Sequence, residues 1–173
     1  VIPARNEVKT LPLLLHALAA TRKAGHEIVV VDGGSDDDTV EIATPYADKV
    51  LRCAPGRAQQ LNTGAKAATG DVLWFLHADS RVFSGTLEAL LDAIGKHHCW
   101  GRFDVHLSGH QWPFRIIERL MNLRSCLTGL ATGDQGIFVT RQVFESVGGF
   151  EPIPLMEDIR LSRALRNIHR PRC

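Results

Sequence analysis

The sequence lacks an excess of charge of either sign, because 20 lysines and arginines nearly balance 19 aspartates and glutamates. The resulting net charge of +1 gives no overall field that would favour nucleic acid as a partner. No apolar run approaches the roughly 18 residues of a membrane-spanning helix, and no signal peptide is recognisable. These absences predict a cytoplasmic protein that does not bind nucleic acid.

Cysteine is scarce, with four widely spaced residues and no Cys-x-x-Cys pair: Cys53, Cys99, Cys126 and Cys173. This spacing predicts reduced thiols rather than a disulfide framework or a zinc site. The histidines at 97, 98, 106 and 110 form no helical His-x-x-x-His pair with an acidic residue, which disfavours a zinc site there as well.

Two phosphate-binding fingerprints are also missing. No Gly-x-Gly-x-x-Gly follows a predicted strand, which argues against a nicotinamide dehydrogenase. Residues 4–11 contain no glycine- and lysine-rich loop, which argues against a nucleotidyltransferase.

What is present is an ordinary globular composition, with 45% hydrophobic and 23% charged residues in a chain of 173. That length is enough for one domain with a buried core. Because the chain opens at Val1-Ile2-Pro3, as if within a strand, and stops soon after a predicted helix, we expect residues 1–173 to be a single domain truncated at both ends.

Short apolar runs alternate with helical patterns along the chain. The run at 72–76 is typical of a strand buried on both faces, and similar buried strands are predicted at 28–31 and 136–139. A short strand is predicted at 49–52, and the alternation of apolar and polar side chains predicts another at 100–107. Helices are predicted at 11–24, 36–46, 57–68, 86–94, 114–127, 142–147 and 157–168, the second opened by a capping box of Ser35 and Asp38. The alternation predicts an α/β fold with a mostly parallel sheet and helices on both faces.

Acidic residues follow the predicted strands where ligands bind in such sheets. Asp32, with Gly33 and Gly34, either allows close approach of a nucleotide's base and ribose or caps the turn. Asp79 is the strongest candidate, because a carboxylate can hold a divalent cation that neutralises a departing diphosphate. His77 is either a second metal ligand or a structural histidine.

The pair Glu157 and Asp158 opens the last predicted helix, where any acid favours the helix dipole. That interpretation is strongest for Glu157. Asp158 precedes the inward residues Leu161 and Leu165 by three and seven positions, so we expect it on the buried side as a candidate general base. Arg57, with Asn62 and Lys66 on the same predicted helix, either contacts phosphate or forms a solvated face.

Five segments together resemble the nucleotide-diphospho-sugar glycosyltransferases of family 2, which have the GT-A fold: residues 1–7, 30–39, 76–79, 148–150 and 157–158. Two longer stretches, 56–80 and 132–165, are similar to the bacterial subgroup associated with radical-SAM and selenium-domain proteins. The likeness covers residues 1–166.

The resemblance implies a role for each matching position. A nucleotide-sugar donor would be bound by the residues Pro3, Arg5, Glu7, Asp32, Gly33, Arg57 and Asp79. Asp134 and Gln135 would face either the donor sugar or the acceptor. Asp79 would be the metal-binding aspartate of the DxD-type motif, whose first acid is replaced by His77. Glu157 and Asp158 would be the catalytic acids, with Asp158 deprotonating the acceptor hydroxyl.

The implied function is that of an inverting glycosyltransferase that uses a nucleotide-sugar and Mg²⁺ or Mn²⁺, with a saccharide or a lipid-linked molecule as acceptor. The amphipathic segment 112–117 would allow peripheral membrane contact if the acceptor is a lipid, although core packing explains it equally well. The alternative is a degenerate or truncated member that binds nucleotide without turnover, because of His77 and the missing ends.

Overall fold

The computed structural model describes residues 1–109 and 111–173, so His110 lies outside the described residues. Strands β1 to β6 span Ile2–Ala4, Val29–Asp32, Lys49–Arg52, Val72–Trp74, Trp100–Gly101 and Phe138–Thr140. Helices α1 to α8 span Leu11–Ala17, Ala19–Lys23, Thr39–Ala43, Arg57–Ala67, Thr86–Gly95, Trp112–Thr128, Arg141–Ser146 and Glu157–Ile168. A 3₁₀ turn covers Gly133–Gln135.

Two three-stranded sheets join into one. Strands β1, β2 and β3 pair in parallel, whereas β6 lies between β4 and β5 and is antiparallel to both. The backbone nitrogen of Val1 donates to the Trp74 carbonyl at 2.7 Å, and its carbonyl accepts from Leu76 at 3.1 Å, a parallel connection between the halves. Among the strands of the described ranges, β6 alone is reversed, so the predicted α/β fold with a mostly parallel sheet is confirmed.

Helices cover both faces of the sheet, as predicted. On one face Leu11, Leu14 and Leu15 of α1 pack in a cluster with Ile2 and Val30. A second cluster joins α4, α7 and α8 to β4 and β6 through residues that include Leu61, Leu73, Val139, Phe144 and Leu161. This two-sided burial explains the continuous apolar runs of the central strands. No helix in the described ranges is long and apolar enough to cross a membrane.

Two local predictions were wrong. The alternating stretch 100–107 pairs with β6 only at Trp100 and Gly101, because Arg102 then turns inward and its guanidinium binds Asp104 and the Asn122 carbonyl instead of continuing a strand face. Ser35 does not cap α3, which begins later, at Thr39. Its hydroxyl donates to Asp32 instead.

The prediction of four reduced thiols was also wrong. Cys126 and Cys173 form a disulfide with a Cα separation of 5.9 Å, whereas Cys53 and Cys99 are unpaired and half-buried. The tail reaches Cys126 because Arg172 forms backbone hydrogen bonds with Trp100 and Arg102, which brings the chain end alongside α6. The disulfide depends on a tertiary contact between residues 47 positions apart, which the spacing of the cysteines does not predict.

We expect denatured, unreduced protein to show two reactive thiols and reduced protein to show four. The disulfide closes a loop of 47 residues, and a loop of that length contributes about 4 kcal/mol through the entropy of the unfolded chain. Cys173→Ser should therefore lower the free energy of unfolding by up to about 4 kcal/mol, whereas the control Cys53→Ser should change it little. Thiol titration and urea denaturation provide the two measurements, and four thiols without reductant would contradict the pairing.

Candidate functional site

The predicted site residues gather at one edge of the sheet. The carboxyl ends of β1, β2 and β4 lead to Arg5, Asp32 and Asp79, and the reversed β6 begins at this same edge, just after the 3₁₀ turn. In open α/β sheets ligands bind beyond the carboxyl ends of the strands. A ligand-binding site is therefore expected at this edge of the sheet.

Asp32 is buried and holds the turn that follows β2. Its carboxylate accepts from the backbone nitrogens of Gly34 and Ser35 at 3.1–3.2 Å, and the nearest cation, Arg52, is 3.9 Å away. The loop after β1 is fastened to this turn, because Asn6 donates to the Ser35 hydroxyl at 2.9 Å. The turn-capping role considered for Asp32 is thus present, and a contact with ribose stays a prediction.

Gln60 is a buried residue for which the sequence predicted no role. Its side-chain nitrogen donates to the carbonyls of Ala4 and Val31, each at 2.9 Å, and so fixes the ends of β1 and β2 side by side. A Cβ on Gly33 would lie 2.8 Å from the Gln60 amide carbon. The close approach predicted at Gly33 is therefore made by a protein side chain. Its only sequence signal is an amide on the apolar side of a predicted helix.

A cleft of about 370 Å³, called here the β1–β4 cleft, collects six of the predicted donor and metal residues. Its lining includes Pro3, Arg5, Glu7, Arg57, His77 and Asp79. Arg57 opens α4 and Asp79 follows β4, and both are exposed to solvent. The cleft thus combines two guanidinium groups with two carboxylates, a lining suited to a polar, anionic ligand.

A second space of about 380 Å³, the β4–β6 pocket, shares Asp79 with the cleft. Asp134 and Gln135 of the 3₁₀ turn line it, together with the aromatic rings of Phe83 and Phe103. Gln135 is buried, and its side-chain nitrogen has no hydrogen-bond partner among the described residues. The two spaces meet at Asp79, so ligands in both would approach the same carboxylate.

Glu157 and Asp158, the predicted catalytic acids, border a small cavity that His77 and Gly133 also line. It is called here the His77 cavity. Asp158 is half-buried, and its carboxylate accepts from the Gly133 nitrogen at 2.6 Å. Glu157 is more deeply buried than Asp158, and one of its oxygens lies 3.6 Å from Arg57 without a hydrogen bond in the described structure. Glu157 therefore does more than favour the dipole of α8, because its carboxylate also pairs with Arg57.

Asn62 and Lys66 do not join this group. The Asn62 amide exchanges hydrogen bonds with the Phe150 backbone at 2.7 and 2.9 Å, so it holds the Gly148-Gly149-Phe150 turn against α4. Lys66 is exposed one turn further along the helix. Of the three polar residues considered on this helix, only Arg57 lines the cleft.

Comparison with known proteins decides the family. Residues 1–144 match the family described as "Glycosyl transferase family 2", which is most of the chain. The chain belongs to glycosyltransferase family 2. The predicted membership is therefore confirmed.

Mycobacterial proteins are among the curated relatives of this family 2 chain. A "PGL/p-HBAD biosynthesis glycosyltransferase" of Mycobacterium tuberculosis is 28% identical in an alignment of length 163 that covers 87% of this chain and 61% of the relative. An "Uncharacterized glycosyltransferase" of the same species is 33% identical over 97 residues, or 56% of this chain and 43% of the relative. The chain therefore spans about three fifths or less of the relatives' length.

Solved structures share the fold. S. aureus TarS in complex with UDP superposes with a TM-score of 0.76 at 21% identity, covering 96% of this chain and 54% of the other. A mannosyltransferase from Pyrobaculum calidifontis in complex with GDP-Man and Mn²⁺ gives 0.72 at 20% identity, covering 98% and 52%. The family 2 chain thus has the GT-A fold that its motifs predicted.

The residues of the β1–β4 cleft fit a divalent cation only if a ligand supplies part of its coordination. Asp79 is exposed and has no ion pair or hydrogen bond within residues 1–109 and 111–173, and His77 is two positions away. The same ranges contain no group of three or more His, Cys, Asp and Glu placed to hold a metal. Mg²⁺ is commonly held by one or two carboxylates and substrate phosphates, which is what Asp79 offers.

His77 is neutral at neutral pH. Burial lowers its pKa from 6.5, and the charge of Arg57 lowers it further, against the opposing pull of Asp79, Asp134 and Asp158. A neutral imidazole keeps a lone pair for a metal or a hydrogen bond. His77 can thus stand in the place of the motif's first acid only as an uncharged ligand.

Gly133→Ala is expected to lower the free energy of unfolding by about 1–3 kcal/mol, because extra atoms in a packed site force the neighbours to move. A Cβ on Gly133 would overlap the His77 imidazole and lie 3.5 Å from Asp158. The control Gly95→Ala lies in α5 with open space around it, so it should raise the free energy of unfolding by up to about 1 kcal/mol. Urea denaturation of Gly133→Ala, His77→Ala and the double variant tests the contact, since additive losses would contradict it.

Proposed function

We propose that this chain carries the donor site and the general base of an inverting glycosyltransferase that moves a sugar from a nucleotide-sugar to an acceptor hydroxyl. The observation that carries the proposal is the β1–β4 cleft, in which two arginines and Asp79 line one polar space. The UDP and GDP-Man named for the solved structures above support a nucleoside diphosphate as the ligand. Placement in the radical-SAM and selenium-domain subgroup stays a prediction.

The donor's diphosphate would lie between Arg57 and Asp79. Arg57 supplies a positive charge to the phosphates, and its pairing with the buried Glu157 limits where the guanidinium can move. Pro3, Arg5, Glu7 and Asp32 would surround the base and ribose. A cation bound by Asp79, assisted by His77, would neutralise the charge that develops on the departing diphosphate.

The acceptor would approach from the β4–β6 pocket, past Asp134 and Gln135. Asp158 would remove the proton of its hydroxyl as that oxygen attacks the anomeric carbon, on the side opposite the leaving diphosphate, which inverts the configuration. The Gly133 hydrogen bond holds the Asp158 carboxylate in one orientation. The acceptor would be a saccharide or a lipid-linked molecule.

Calorimetric titration with UDP and with GDP, each in Mn²⁺ and in EDTA, tests the donor site. We expect Mn²⁺-dependent binding of one nucleotide to this chain and to a longer version extended at both ends. Binding only by the longer version would mean that residues outside 1–173 complete the site. No binding by either would overturn the proposal.

The second candidate is a member that binds nucleotide without turnover. The single Asp79 carboxylate, in the place of an acidic pair, favours it. Release of sugar from UDP- or GDP-sugars separates the two, because only an enzyme would produce it.

A further inference from the structure

Helix α6 turns its apolar side chains outward. Trp112, Ile116, Leu120, Leu123 and Leu127, called here the α6 stripe, are 74%, 47%, 61%, 55% and 72% exposed. Steps of four, four, three and four residues place them on one face of the helix. Monomeric soluble proteins rarely expose a contiguous apolar patch of this kind, and such patches mark interaction sites.

The outward orientation is fixed by polar contacts on the opposite face of α6. Asn122 exchanges hydrogen bonds with the Val105 backbone at 2.9 and 3.1 Å, and Arg115 donates to the Leu107 carbonyl at 2.7 Å. Glu118 is buried and accepts from the Leu107 nitrogen. Turning the helix to bury its stripe would leave these groups without partners, so the fold itself holds the stripe in solvent.

Two cations border the α6 stripe. At about 100° per residue, Arg119 and Arg124 fall on its opposite sides, and both are exposed without a carboxylate partner in the part of the chain that the structure describes. The one acid of α6, Glu118, faces inward and pairs with Arg115 at 2.9 Å. The outward face is therefore apolar at its centre and positive at both borders.

We infer that the α6 stripe docks on a membrane surface that contains anionic lipids. An apolar face that enters the boundary between headgroups and acyl chains, flanked by arginines at the phosphate level, matches the chemistry of such a surface. A second copy of the chain fits less well, because the same face on both partners would bring arginines together without an acid to pair them.

The placement of α6 gives this surface a use, which rests on the proposed function. The segment 102–108 is fastened to α6 through Val105 and Leu107, and it also lines the β4–β6 pocket. A membrane seated on α6 is thus one chain segment away from the pocket where the acceptor would enter. This arrangement favours a lipid-linked acceptor.

Flotation with vesicles tests the docking surface. The protein should bind vesicles of phosphatidylcholine with phosphatidylglycerol, less so as salt rises, and bind weakly to phosphatidylcholine alone. Each arginine near an anionic surface contributes about fivefold, so Arg119→Gln with Arg124→Gln should weaken anionic binding about 25-fold. Leu120→Gln with Leu123→Gln should weaken it at least about tenfold.

The control is Leu13→Gln, an exposed leucine of α1 with 66% exposure, which should bind vesicles like the unaltered protein. Thermal unfolding checks that each variant is folded. Equal vesicle binding by Leu120→Gln with Leu123→Gln and the unaltered protein would overturn the inference. So would a dimer that this pair of changes dissociates, without any vesicle binding.

Titration of the same proteins with UDP and GDP, without vesicles, separates the two proposals. Vesicle binding without nucleotide binding would retain the α6 surface and reject the donor site. Nucleotide binding without vesicle binding would do the opposite.

Discussion

Asp158→Asn is expected to slow sugar transfer by about 10²- to 10⁴-fold, the range that one general base contributes. The amide has nearly the same shape, and its oxygen can still accept the hydrogen bond from Gly133. The bond that is lost is the local one from the Ile159 nitrogen, so the start of α8 should keep its place. It cannot accept the acceptor's proton. The affinity for nucleotide should be unchanged, because Asp158 does not line the β1–β4 cleft.

Initial rates of sugar release from the nucleotide-sugar that binds, with water as acceptor, measure this effect before the natural acceptor is known. The matched control is Asp92→Asn, which changes an exposed acid of α5 that pairs with Lys96, and it should react at the normal rate. An unchanged rate in Asp158→Asn would remove the general-base assignment. A parallel loss of nucleotide affinity would instead mean that Asp158 supports the cleft.

Asp79→Ala should remove the metal-dependent part of nucleotide binding. Even indirect partners of a metal contribute about 10- to 100-fold to its affinity, so the loss of the Asp79 carboxylate should cost at least about tenfold. Because Asp79 is exposed, its replacement should change the free energy of unfolding by no more than about 0.5 kcal/mol. The loss should therefore be one of binding with the fold intact.

Asp71, an acid at the other end of β4 from Asp79, provides the control. Asp71 precedes β4 and is exposed at the opposite edge of the sheet, so Asp71→Ala should retain the Mn²⁺-dependent affinity. Titration of both variants with the nucleotide in Mn²⁺ and in EDTA gives the comparison. If Asp79→Ala binds as tightly with Mn²⁺ as the unaltered protein, the metal is held elsewhere.

The strand ends were predictable because local sequence determines them. Val29, Val30 and Val31 form an apolar run that stops at Asp32, and the run at 72–76 stops before His77, so acids placed there had to emerge at one sheet edge. Predicting that edge required only the rule for parallel strands. Six of the predicted residues do line the β1–β4 cleft.

The contacts that support these residues were not predictable in this way. Gln60 reaches carbonyls 29 and 56 residues away, and the Gly133 nitrogen binds Asp158 across 25 residues. No periodicity records such pairings. The helical pattern of α6 was visible, but which face turns outward depends on Asn122 and Glu118 finding partners in the segment 102–108.

Because β6 runs opposite to the other described strands, one segment of this chain is suited to exchange between family members in chimeric proteins. The chain passes the site at the 3₁₀ turn, leaves through β6 and α7, and comes back to the same place at the first turn of α8, where Asp158 meets Gly133. Residues 132–158 therefore form a segment whose two ends are in contact, through the hydrogen bond between Gly133 and Asp158. In the proposed function they carry the acceptor-facing and proton-accepting groups as one cassette, while residues 1–80 carry the donor-binding groups. A chimera made by grafting that cassette would change the choice of acceptor and leave the choice of nucleotide alone.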